Sequence, residues 1–174
     1  MTTPNDVKPF GMNQIILVSR DGLTQVQLQA SRTLEFEETV VTGEFTGDDQ
    51  LQGIMTIPTG IKGKVEAGGL SLEAYALLTG HSFDTSGSTP NQVGTMEGDS
   101  NRYPYIQIFG KSLGDETDDI HIVIYKAKLT SGLKGSFKYG EFMASEFEVM
   151  GVKENGKAFD FIIHETEADI DVGS

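Results

Sequence analysis

Only one stretch of the chain spaces its apolar residues as a helix does, and that stretch is roughly nine residues long. In EAGGLSLEAYALLTG, residues 66–80, Leu70, Ala74, Leu77 and Leu78 fall on one helical face. Ser71 stands where an N-cap hydroxyl takes a free backbone N–H, and Glu73 sits in the first turn, where a negative charge suits the helix dipole. Leu70 and Tyr75 occupy the two ends of a hydrophobic staple, and Gly80 supplies a left-handed stop. Gly68 and Gly69 allow a sharp entry. A helix this short needs packing against something else, because its own propensity is insufficient. The remainder of the chain reads as strands, turns and glycines, so the helix must dock on a sheet.

The length of 174 residues suits one domain, residues 1–174, with enough chain to bury a core. The 21 glycines follow no collagen-like repeat and read as turns and bulges. Cysteine is absent, which excludes a disulfide framework, a thiol nucleophile and thiolate metal ligands. The net charge of −13 is opposite in sign to the basic footprint that binding to nucleic-acid phosphates requires. No apolar run approaches the roughly 20 residues of a membrane span. MTTPNDVKPFGMNQ lacks the basic segment and apolar core of a secretory signal, so the expectation is a soluble chain without membrane insertion.

Residues 1–13 read as an irregular N-terminal arm. QIILVS (14–19) and TQVQLQAS (24–31) flank Asp21-Gly22 and form a hairpin. In TLEFEETVVTGEF (33–45), Leu34 and Phe36 alternate with Glu35 and Glu37, which leaves one face wet. Residues 46–67 read as a turn at Asp48 and Asp49 followed by an extended, glycine-punctuated segment. Residues 81–102 read as one long polar loop. Strands follow at 103–112, 119–129, 140–152 and 157–165, the last two joined by KENG. Apolar residues on both faces of 120–125 make that strand central. The acidic tail 165–174 alternates at strand period. The fold class is mainly β, a sandwich or barrel with one short flanking helix.

No motif indicates an enzyme. GKSLG (110–114) matches the nucleophile-elbow pattern around Ser112, but DETDD follows where the motif needs a helix. A hydrolase using Ser112 is therefore the weakest of three readings. GDETDD (114–119) does not follow the register of a calcium loop, and a solvated turn explains it. His81, His121 and His164 are far apart in sequence, with no partner at metal-ligand spacing. His121 reads as a packed or lumen-facing strand residue. No metal and no cofactor are expected.

Taken in order, three segments resemble the major tail tube protein of long-tailed bacteriophages. They are LEFEETVVTGEFTGDDQ, EAGGLSLEAYALLTG and IVIYKAKLTSGLKGSFKYGEFMASEFEVMGV, and the resemblance covers roughly residues 14–163. It implies a β-sandwich subunit with a flanking helix that closes into hexameric rings around a continuous inner β-barrel. The rings would stack into a hollow tube that DNA transits without specific binding. It implies a virion tail protein, assembled in the host bacterial cytoplasm, with no catalytic residue and no cofactor. Its partners would be other copies of itself, a tape measure protein, and tail terminator or tail tip proteins.

On this reading a like-charged lumen prevents DNA from sticking, and Glu35 and Glu37 are expected to face it. Leu70, Ala74, Leu77 and Leu78 pack the helix on the outside of the tube wall. Segment 46–67 is an inter-ring loop, and Asp48, Asp49, Ile54, Ile57, Ile61, Ile170 and Val172 are candidates for inter-ring contact by strand addition. The second reading is a β-sandwich binding module that recognises a glycan or cell-surface partner through residues 81–102.

Overall fold

The computed structural model describes residues 8–47, 50–69, 71–98, 102–114, 117–132, 134–136, 138–141 and 143–173. Leu70, expected to pack the helix, and Asp48 and Asp49, expected at inter-ring contacts, lie outside this set. Among the described residues the strands are β1 (Gln14–Ser19), β2 (Gln25–Gln27), β3 (Ser31–Gly47), β4 (Gln50–Gly68), β5 (Ser82–Ser86), β6 (Val93–Glu97), β7 (Tyr105–Leu113), β8 (Asp119–Leu129), β9 (Ala144–Val152) and β10 (Phe159–His164). The helix, α1, is Leu72–Thr79. The chain is mainly β with one short flanking helix, as its patterning predicts. No helix among the described residues is long and apolar enough to cross a membrane.

Eight strands form one antiparallel sheet in the order β2-β1-β7-β8-β9-β4-β3, with β10 also paired to β8. The fork at β8 shapes the fold. One edge of β8 carries β7, while the other is shared by β10 along Asp119–Ile124 and by β9 along Ala127–Leu129. A sheet that divides in this way can fold over on itself, and the inner faces enclose Ile15, Leu17, Leu34, Val65, Ile108, Ile124, Phe147 and Val149. Gly110 sits where the layers approach closely. A Cβ there would lie 2.8 Å from Leu34 Cδ2 and 2.9 Å from Ile122 Cγ2.

Helix α1 has the caps its sequence demands. Ser71 Oγ accepts the Ala74 N–H at 3.3 Å, and Gly80, in the left-handed region at φ 73°, donates its N–H to Ala76 O. Ala74 and Leu78 are buried in the main core, and Leu77 packs at its margin. Tyr75 and Ala76 are buried as well, so the packed face is wider than the four-residue stripe.

Three expectations are corrected. Residues 81–102 are not one loop but contain the β5–β6 hairpin, with Phe83 paired to Met96. Its strand signal is hidden because Ser, Thr and Gly occupy most positions around Phe83, Val93 and Met96. Segment 46–67 is no loop either; from Gln50 it is strand β4, antiparallel to β3. His121 and His164, distant in sequence, lie with ring centroids 4.7 Å apart because β8 and β10 pair.

The tail after β10 forms no strand among its described residues. It crosses the outer face of β1, β7 and β8, where Ile170 and Val172 pack against Val18, Phe109 and Val123. Ala168 N–H donates to Asp119 Oδ2 at 2.8 Å. Lys111 Nζ donates to Glu167 Oε1 at 3.0 Å and to Ala168 O at 2.6 Å. The centre of the sheet is thereby covered on both sides, which explains the apolar character of both faces of β8.

Beside the tail, Tyr125 Oη donates to Asp160 Oδ2 at 2.5 Å, which also accepts from Lys157 Nζ at 3.0 Å. The Asp160 hydrogen bond, helped by burial, pushes the phenol up to about 12. The folded value lies above the ordinary one of roughly 10, so this contribution is complete below that pH and is lost as pH rises toward 12. Tyr125→Phe is expected to lower stability by about 1–2 kcal/mol at neutral pH. Urea titrations of parent and variant should converge as the phenol ionises.

Candidate assembly surface

The register of β3 and β4 divides each strand into two parts. From Gly60 to Ala67, β4 pairs with β9 as well as β3 and belongs to the sheet. Beyond that, Val40–Gly47 and Gln50–Pro58 pair only with each other among the described strands. Eight residues at the usual strand rise give this ribbon a reach of about 25 Å. Two residues mark the end of the sheet. Pro58 has no N–H to offer a further strand. Gly60 meets β9 so closely that a Cβ would lie 2.4 Å from Gly151 O.

Cross-strand threonine pairs join the two strands at the base of the ribbon and within it. Thr39 and Thr59 Oγ1 are 3.1 Å apart, and Thr42 and Thr56 Oγ1 are 3.2 Å apart. Paired residues point to the same side. Val41 with Ile57, Gly43 with Met55, and Phe45 with Gly53 therefore make one face, and these six residues include no polar side chain. Val40 with Pro58, Thr42 with Thr56, and Glu44 with Ile54 make the other.

The apolar face is open to solvent. Val41 is 61% exposed, Phe45 67%, Met55 67% and Ile57 51%. An isolated two-stranded ribbon is marginal in water, and soluble monomers rarely keep a contiguous apolar patch of more than a few hundred Å². Among the described residues this face offers no acid, base or nucleophile. A face of this kind is suited to burial against another surface.

The expected contact residues divide accordingly. Ile57 lies on the apolar face and Ile54 on the opposite one, both exposed. Ile61 differs: it is 1% exposed, with its side chain held in the subunit's own core. Ile170 and Val172 are likewise engaged on their own sheet. Val41, Phe45 and Met55 were not among the expected residues. The period-two spacing of Val41, Gly43 and Phe45 was the available signal.

Glu35 and Glu37 are exposed on the polar face of β3. Glu35 aligns with Lys64 and Glu148, and Glu37 aligns with Lys62, Met150, Lys128 and Tyr105 across the sheet. Lys64 Nζ lies 3.3 Å from Glu146 Oε1, whose hydrogen bond and charge raise the lysine above its ordinary range. Lys126 and Lys128 stand over the Tyr105 ring at 4.9 and 5.0 Å. The wet face therefore interleaves both signs of charge and is not uniformly acidic.

Ser112 lies inside β7, which runs on to Leu113, and its hydroxyl donates to Gly11 O. The strand-to-helix turn of a nucleophile elbow does not occur there.

No protein-family model matches the chain, and no curated protein matches it. Among solved structures, one match is to a chain of the "Cryo-EM structure of the anti-feeding prophage (AFP) baseplate, 6-fold symmetrised". The TM-score is 0.45 at 9% sequence identity, and the alignment covers 94% of this chain and 97% of that one.

Proposed function

We propose that the chain is a structural virion protein that assembles into stacked hexameric rings, forming a hollow phage tail tube through which DNA passes. The observation that carries this reading is the projecting ribbon with Val41, Phe45, Met55 and Ile57 exposed on one face. Such a face is stable in water once a neighbouring copy covers it. The ordered resemblance over roughly residues 14–163 supports the same reading.

In this arrangement Glu35 and Glu37 face the lumen. Their neighbouring lysines leave that sheet face locally mixed in charge, while the net −13 of each copy repels a polyanion at longer range. DNA then meets a wall whose lysines alternate with carboxylates. The Ile54 side of the ribbon is available for contact between rings. The tube would engage a tape measure protein inside it and terminator or tip proteins at its ends.

Sedimentation velocity over a hundredfold concentration range tests self-assembly. The expected result is conversion of monomer into one discrete large species or its stacks. Monomer at every concentration would reject the reading.

A further inference from the structure

Asp119, His121 and His164 form a second constellation, far from the ribbon's apolar face in both chemistry and strand membership. Asp119 and His121 are two apart on β8, and His164 is paired with Asp119 across the ladder to β10. The three side chains thus share the outer face of the sheet. One ligand atom from each, a carboxylate oxygen and two imidazole nitrogens, lies within 4.8 Å of the others. His121 Nε2 is 3.2 Å from Asp119 Oδ2.

Asp119 is fully buried, and its two oxygens are treated unequally. Oδ2 accepts from Ala168 N–H, stands 3.4 Å from Lys111 Nζ and meets His121. Oδ1 is buried with no hydrogen-bond partner. A buried carboxylate oxygen without a donor is costly, and a metal ion would satisfy it.

We propose that Asp119, His121 and His164 bind a divalent transition-metal ion of the zinc class, which fastens β10 and the covering tail to β8. Two imidazoles and one carboxylate are the donor set of zinc and its neighbours, with a further position left for water. Calcium and magnesium are disfavoured, because they need several oxygen ligands and this site has one carboxylate beside the Lys111 ammonium. Ligand atoms on a tetrahedral zinc ion lie about 3.3 Å apart, so binding draws His164 inward. Lys111 and Ala168 act by holding Oδ2, and this fixes the carboxylate beside the two imidazoles.

The test uses the full chain without a histidine tag, titrated with cobalt(II) and zinc(II) chloride. The expected result is one equivalent of cobalt with visible absorption of tetrahedral strength, displaced by zinc. Zinc at a hundredfold excess over its Kd should raise Tm by about 5–10 °C. His164→Gln, at a half-buried position, should keep the parent's circular dichroism and lose at least ~100-fold in affinity, whereas His81→Gln should bind as the parent does. Asp119→Asn gives a second loss-of-ligand readout. Absence of the cobalt spectrum and of the Tm shift in the parent would overturn the proposal. Equal binding by the parent and His164→Gln would overturn it too.

Discussion

A chain carrying Phe45→Asp and Ile57→Asp together is expected to melt where the parent melts and yet to stay monomeric. Both side chains are more than half exposed in the subunit, so neither supports its core. Both lie on the apolar ribbon face, where assembly would remove them from water. Burying one large apolar side chain contributes about 1.5–3 kcal/mol, and every 1.4 kcal/mol is a tenfold change in association. The substitutions remove two such contributions and place two carboxylates where no cation answers them. Assembly should therefore need at least ~100-fold more protein than the parent, measured by sedimentation velocity. Parent-like assembly would move the interface off this face.

The second large effect is expected inside the subunit. Lys111→Met should cost about 3–5 kcal/mol, which for a chain of this size is a Tm fall of roughly 6–20 °C. The Lys111 side chain is 4% exposed and that of Asp119 is 0%, and they are 3.4 Å apart. Desolvation disfavours the charge on each. The hydrogen bonds and charges of Glu167 and Asp119 nevertheless hold Lys111 above its ordinary range. The Ala168 N–H, His121 and Lys111 likewise hold Asp119 below its own. A carboxyl depressed in the folded state stabilises it above its unfolded value, and that contribution is lost as pH falls through the folded one. Lys111→Met strands the buried carboxylate and releases Glu167 and Ala168, so the tail should also lose amide-exchange protection. If Lys111→Met melted as the parent does, the pair would not hold the tail.

Local chemistry was legible in the sequence. The cap at Ser71, the stop at Gly80 and the KENG turn, where Asn155 and Gly156 both take positive φ, each depend on a few neighbouring residues. The central place of β8 was readable from its two apolar faces. What covers the outer face was not, because Ile170 and Val172 reach Val18, Phe109 and Val123 only through tertiary folding.

The ribbon was missed for a related reason. Glycine and proline punctuation at Gly53, Pro58 and Gly60 reads as an interrupted segment, while the ladder to β3 carries the strand past all three. The histidine cluster depends on which strands pair, and spacing along the chain has no record of that. His121 and His164 are 43 positions apart, yet the β8–β10 ladder brings their ring centroids within 4.7 Å.

Negative-stain electron microscopy of the concentrated, purified chain tests self-assembly into a tube most directly. Closed rings with an open centre, or hollow tubes of stacked rings, are the predicted images. A field of separate small particles at the highest attainable concentration, with neither rings nor tubes, would contradict the account.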